Sequence, residues 1–133
     1  MSTTAAPVVI HTDFVSIPTQ DLEAARAFYR DVIGLEEGPV YQRGEGPAIG
    51  AEFETGNLTL SVINAEAVGI AFSATSVPIA LGVADIEAAR ATLEARGVTF
   101  AAPTMDTGVC HMAHFRDPDG NVLMLHQRYP GRD

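Results

Sequence analysis

The sequence predicts an α+β domain built from two βαβββ modules whose curved mixed sheets form a shared cleft. Three observations predict it. Asp21-Leu22-Glu23-Ala24-Ala25-Arg26-Ala27 returns 64 positions later as Asp85-Ile86-Glu87-Ala88-Ala89-Arg90-Ala91, with one apolar exchange. Gly56-Asn57-Leu58 returns at the same spacing as Gly120-Asn121-Val122. After each heptapeptide, the apolar period falls from that of a helix to the two-residue alternation of strands. Two matches in one register, in a chain of 133 residues, indicate a duplicated unit rather than two chance similarities. The units run over 11–65 and 75–129 within a single domain spanning 1–133.

Each unit opens with an extended segment, Phe14-Val15-Ser16-Ile17 in the first and Ile79-Ala80-Leu81-Gly82-Val83 in the second. A helix follows. Leu22, Ala25, Tyr29 and Val32 place one apolar stripe on the first helix, and Ile86, Ala89 and Leu93 repeat it on the second. Asp21 and Asp85 stand where a cap belongs, and Glu23 and Glu87 suit the first turn. Gly34 and Gly97 mark the ends. Strands are then expected at 49–53 and 57–63 around Glu54-Thr55-Gly56. In the second unit they are expected at 109–115 and 121–127, around the turn Arg116-Asp117-Pro118-Asp119-Gly120. The Gly38 to Pro47 stretch, punctuated by glycine and proline, reads as a surface loop or a flap over the trough. A small sheet covered by one helix is incomplete alone, and two of them together can enclose a cleft.

Composition narrows the function. Eight basic and 17 acidic side chains give a net charge of −9, which argues against binding a phosphate backbone. Hydrophobic residues make up 47% of the chain, too many for a disordered segment. A single cysteine excludes an internal disulfide framework and suits a reducing, cytoplasmic location. The least polar stretch, Ala65 to Leu81, is interrupted by Glu66 and Pro78 and does not read as a membrane span. The N-terminus lacks the pattern of a secretory signal.

Two segments, DFVSIPTQDLEAARAFYRDVIGL near the front and CHMAHFRDPDGNVLMLHQ near the end, together resemble the vicinal oxygen chelate superfamily, also called the glyoxalase/bleomycin-resistance/dioxygenase superfamily. The resemblance covers roughly 11–129. It implies a glyoxalase/bleomycin-resistance-like fold, and it specifies the fold more closely than the reaction, because such folds host both metal enzymes and metal-free binders. The family's metal-dependent members carry His, Glu or Gln at two positions per module. These correspond to Phe14 and Leu60 in the first module and to Pro78 and Met124 in the second. None of the four supplies a hard oxygen or nitrogen donor. The expectation is therefore no metal and no cofactor, with glyoxalase I and extradiol dioxygenase chemistry disfavoured.

Among the remaining polar groups, a hairpin pairing Arg116 with Asn121 would set His111 opposite His126. Two facing imidazoles could anchor a ligand or move a proton, so both are candidate catalytic residues. Phe14, Leu60, Val62, Val122 and Met124 are expected to form an apolar ligand-binding wall, with Ser16 as a hydroxyl anchor. The leading expectation is metal-independent binding of a small, partly apolar organic molecule, as in sequestration or antibiotic resistance, by a homodimer. The net charge favours a cationic or neutral ligand. The alternatives are a metal-free isomerase or lyase using His111 and His126, and a structural or regulatory dimer. Neither nucleic acid nor membrane is an expected partner.

Overall fold

The computed structural model describes residues 5–131. The first module contains β1 (Phe14–Thr19), α1 (Leu22–Ala27), β2 (Glu36–Gln42), β3 (Ala48–Glu54) and β4 (Thr59–Asn64). The second contains β5 (Ile79–Gly82), α2 (Ile86–Ala95), β6 (Met105–Asp106), β7 (Cys110–Arg116) and β8 (Val122–Arg128). Each module forms one four-stranded mixed sheet, in the orders β1-β4-β3-β2 and β5-β8-β7-β6. The first strand of each sheet lies parallel to the last, and the remaining pairs are antiparallel. This is the α+β arrangement of two βαβββ units that the repeat predicts.

The helices begin where the repeated aspartates require. Asp21 accepts the N–H of Ala24, and Asp85 that of Ala88, each at 3.1 Å. Both aspartates are extended, as cap residues are. A π-helical turn, Phe28–Val32, prolongs α1 and carries Tyr29 into the interior. Gly34 and Gly97 then end the two helical segments at φ of +85° and +95°, a region where a Cβ would be strained.

The helices cover one face of each sheet. In the first module that face presents Ile17, Leu60, Val62, Ala51 and Phe53. In the second it presents Leu123, Leu125, Ala113 and Phe115. All of these belong to one continuous core that joins the modules. Tyr29 packs at a tilt against Phe53, and Phe100 against Phe115, with centroids 5.7 and 5.4 Å apart.

The first half of the expected loop over Gly38–Pro47 is strand. β2 extends to Gln42 and pairs with β3, with register shifts between Glu37 and Val40 and between Tyr41 and Gln42. Pro39 falls within the first irregularity of an edge strand, where its missing N–H leaves no ladder position unfilled. Only 43–47 lies outside the strands. Tyr41 is thereby fixed, with its hydroxyl 3.0 Å from that of Ser61.

The turn at 117–121 joins the modules. Asp117 is buried and accepts hydrogen bonds from the Tyr29 hydroxyl at 2.7 Å and the Asn121 amide at 2.8 Å. It also accepts the backbone N–H groups of Asp119 and Asn121, each at 2.9 Å. Asp119 reaches back to the first module, accepting from the Thr19 hydroxyl at 2.6 Å and the Gln20 N–H at 2.8 Å. Asn121 donates to the Pro18 carbonyl and accepts from the Thr75 N–H, both at 2.8 Å. Burial, reinforced by the Asp117 charge, raises the Tyr29 hydroxyl far above the ordinary tyrosine value.

Candidate functional site

The second-module hairpin decides which side chains reach the cleft. Its turn holds one residue more than the sequence reading allows. Asp117 N–H donates to the Asn121 carbonyl, and Gly120 sits at φ +88°, so Pro118-Asp119-Gly120 forms a three-residue loop closed by a left-handed glycine. Arg116 consequently pairs with Val122, not Asn121. Along the ladder, Met112 faces His126, while His111 faces Gln127. Because side chains alternate, this one-residue shift sends the two histidines to opposite faces. The expected imidazole pair does not form.

His111 instead joins a cluster on the helix-covered side of β7. Its ring lies 5.2 Å from that of Tyr129, and its Nε2 is 3.6 Å from an Asp106 carboxylate oxygen. The Tyr129 hydroxyl also donates to Asp106. This hydrogen bond, with the Gly108 N–H behind it, holds the Asp106 carboxyl below its ordinary value.

The first-module hairpin is shorter. Thr55 N–H donates to the Leu58 carbonyl around Gly56-Asn57, and Glu54 pairs with Thr59. Equivalent residues are 64 apart in β1 and β5, 62 apart in β3 and β7 and, past the longer second hairpin, 63 apart in β4 and β8. The parallel pairings agree. Val15 aligns with Leu60, and its counterpart Ile79 aligns with Leu123. The first-module counterpart of Met124 is therefore Ser61, whereas Leu60 and Val62 turn inward and are fully buried. That corrects the expectation that Leu60 and Val62 line an open wall. The four family positions become Phe14, Ser61, Pro78 and Met124. This donor set does not fit a hard divalent metal: Ser61 offers one neutral hydroxyl, 3.0 Å from the Tyr41 hydroxyl, and Met124 one soft sulfur. Among the described residues, no three His, Cys, Asp or Glu side chains come together in a metal-holding group.

A cavity of about 820 Å³ opens between the modules around the free edge of β5. Ile33, Leu35 and Leu60 form its first-module wall, and Met112, Met124 and His126 part of its second. Leu60 thus contributes from the core side. A smaller hollow of about 540 Å³ lies beyond the end of α2 and takes in His114, Arg116 and Val122. Phe14 and Ser16 lie on the helix-free face of the first sheet, where Phe14 is 55% exposed, and neither lines either cavity. Of the expected site residues, the larger cavity brings together Leu60, Met124 and His126. Arg96 and Arg128, which the sequence reading did not single out, also line it. Arg128 was accessible to sequence reasoning, since it shares strand parity with Met124 and His126. Arg96 was not, because it enters from beyond the end of α2.

Two mixed sheets, each backed by one helix and joined around a common cavity, define the paired βαβββ class of proteins. The chain belongs to the Glyoxalase/Bleomycin resistance protein/Dioxygenase superfamily, whose family model matches 11–125. It is similar in structure to TnmS3, an antibiotic binding protein from Streptomyces sp. CB03234, at 26% identity and a TM-score of 0.76. That match covers 93% of this chain and all of TnmS3. A glyoxalase/bleomycin resistance protein from the same Streptomyces is 27% identical, with a TM-score of 0.69, over 88% of this chain and all of the other. A superfamily member from Sphaerobacter thermophilus DSM 20745 shares the fold at a TM-score of 0.77 and 24% identity, over 92% of this chain and all of its own. No curated protein matches the chain by sequence. No helix among the described residues is long and apolar enough to cross a membrane.

Proposed function

We propose that the chain binds a small organic molecule with an apolar body in the cavity between its modules, without a metal, and returns it unchanged. The observation that carries this reading is the cavity itself. About 820 Å³ is ample for a drug-sized ligand, and its mainly aliphatic and thioether lining is completed by Thr55, Asn57, Thr92, Arg96, His126 and Arg128. The donor-poor quartet Phe14, Ser61, Pro78 and Met124 supports metal independence, and the likeness to TnmS3 supports sequestration of an antibiotic-like molecule. The rival proton-transfer reading is weakened by the separation of His111 from His126, which leaves His126 alone in the larger cavity. A purely structural role calls for a filled cleft, and this one is open.

A homodimer is part of the proposal. Val8, Val9 and Ile10 are 91%, 78% and 88% exposed, and Phe14, on the helix-free face of β1, is exposed as well. Such a run is costly to leave in water. Cytoplasmic residence is also proposed and is checked by cell fractionation.

The test combines metal analysis of the untagged protein with equilibrium dialysis against a panel of aromatic antibiotics. A bound compound recovered intact, with less than stoichiometric metal, is the expected result. One tightly held transition metal ion per chain, or steady turnover of a bound compound, overturns it.

A further inference from the structure

The chain's charge is segregated, and the cavity falls on the minority side. Although 17 acidic residues oppose eight basic ones, no Asp or Glu among the described residues lines the larger cavity, whereas Arg96, Arg128 and His126 do. The acids are elsewhere. Glu52 and Glu54 stand on the helix-free face of the first sheet with Ser61 and Thr59, and Glu37 is held by Arg26 and Arg30. Four of the arginines are similarly engaged. Arg26, Arg30 and Arg90 are ion-paired, and Arg116 donates to the Gly120 carbonyl. Arg128 lines the cavity and, like Arg43 outside it, has a guanidinium with neither an ion-pair nor a hydrogen-bond partner among the described residues. The His126 imidazole, half-buried two residues before it on the same strand face, also has none there. Arg96 gives one N–H to the Val32 carbonyl at 2.8 Å, which leaves further donors of its fork free.

We propose that this cavity selects molecules bearing an anionic group, a carboxylate, sulfonate or phenolate, on an apolar aromatic body, with Arg128 and His126 as the anchoring donors. The inference rests on the cavity being a ligand site and reverses the preference that net charge alone implies. Met112, Met124 and Leu60 take the apolar body, while the unpartnered guanidinium at the rim takes the charge in a charge-assisted hydrogen bond. Among the described residues, a cationic ligand would meet three basic groups and no carboxylate within the cavity.

Anilinonaphthalene sulfonate and its neutral relative phenylnaphthylamine share a ring system and differ in charge. With the full chain, fluorescence titration is expected to give the sulfonate about tenfold tighter binding, an advantage that shrinks as salt is raised. Arg128→Gln and His126→Gln are each expected to weaken the sulfonate several-fold and leave the neutral dye within about twofold, while Arg43→Gln, outside the cavity, changes neither. Equal binding of the two dyes, or an unchanged sulfonate affinity in Arg128→Gln, overturns the anion preference while leaving the cavity as a ligand site. Failure of both dyes to bind overturns the ligand-site reading as well.

Discussion

Asp117 accepts four hydrogen bonds, from one phenol, one amide and two backbone N–H groups, so every donor around it points inward. Asp117→Asn would turn an NH₂ toward those donors, and is expected to cost about 2–4 kcal/mol, read as a lower urea midpoint. Tyr29→Phe removes one bond to a charged acceptor, a loss of about 1.5–3 kcal/mol. It should also alter the alkaline limb. The Tyr29 pKa is raised on folding, so its contribution is complete below the unfolded tyrosine value of about 10 and is lost as pH rises above it. The wild-type chain should therefore lose more stability than Tyr29→Phe between neutral pH and pH of about 11, measured by denaturant titration at each pH. At the same scale, His111→Ala should leave dye binding in the cavity unchanged, because its ring lies on the other face. A loss equal to that in the His126 variant would restore the two-histidine proton-transfer reading. Asp117 and Asn121 were legible as turn residues, but their bonds across the module junction were not. Partners roughly a hundred positions away leave no local pattern in a sequence.

The two helix caps offer a matched pair of tests. Asp21→Ala and Asp85→Ala should each destabilise by about 1 kcal/mol, the usual value of an N-cap, seen as lowered thermal midpoints. The α1–β2 contact adds an acid-sensitive element. Glu37 accepts from Arg26 at 2.6 Å, and this bond holds its carboxyl below the ordinary glutamate value. Its contribution is present above the unfolded glutamate value of about 4.3 and fades as pH falls toward the lower folded value. Glu37→Gln should accordingly flatten part of the acid unfolding curve. The helices, caps and terminal glycines were readable because their signals are local. The hairpin registers were not, because loop length depends on whether a turn closes over two, three or four residues. Asp-Pro-Asp-Gly allows more than one answer until the Asp117 side chain captures the N–H groups of Asp119 and Asn121. β2 was concealed by Gly38 and Pro39, whose usual meaning as breakers is overridden by an irregular edge pairing.

For the whole molecule, the duplication made the architecture legible. Net charge was a poorer guide, because a sum over 133 residues carries no information on which face each charge occupies. The self-association proposal belongs at this scale. Sedimentation equilibrium should give a mass twice that of the 14.1 kDa chain. Replacing Val9 and Phe14 together by serine should shift it toward the monomer, since exposed apolar side chains of that size drive association. A monomeric wild-type chain at micromolar concentration would remove the dimer from the proposal.

The extra residue in the second hairpin has an evolutionary reading. If the halves descend from one ancestral segment, an insertion or deletion of a single codon at that turn is enough to exchange the faces of an entire strand relative to an ungapped comparison. Leu60 and Met124 then look homologous and are not, and the same error would spread through any ancestral sequence inferred by averaging the halves. A reconstruction with a two-residue gap in the second half between α2 and β7, and a one-residue gap in the first between Gly56 and Thr59, restores Ser61 opposite Met124 and keeps the buried positions buried.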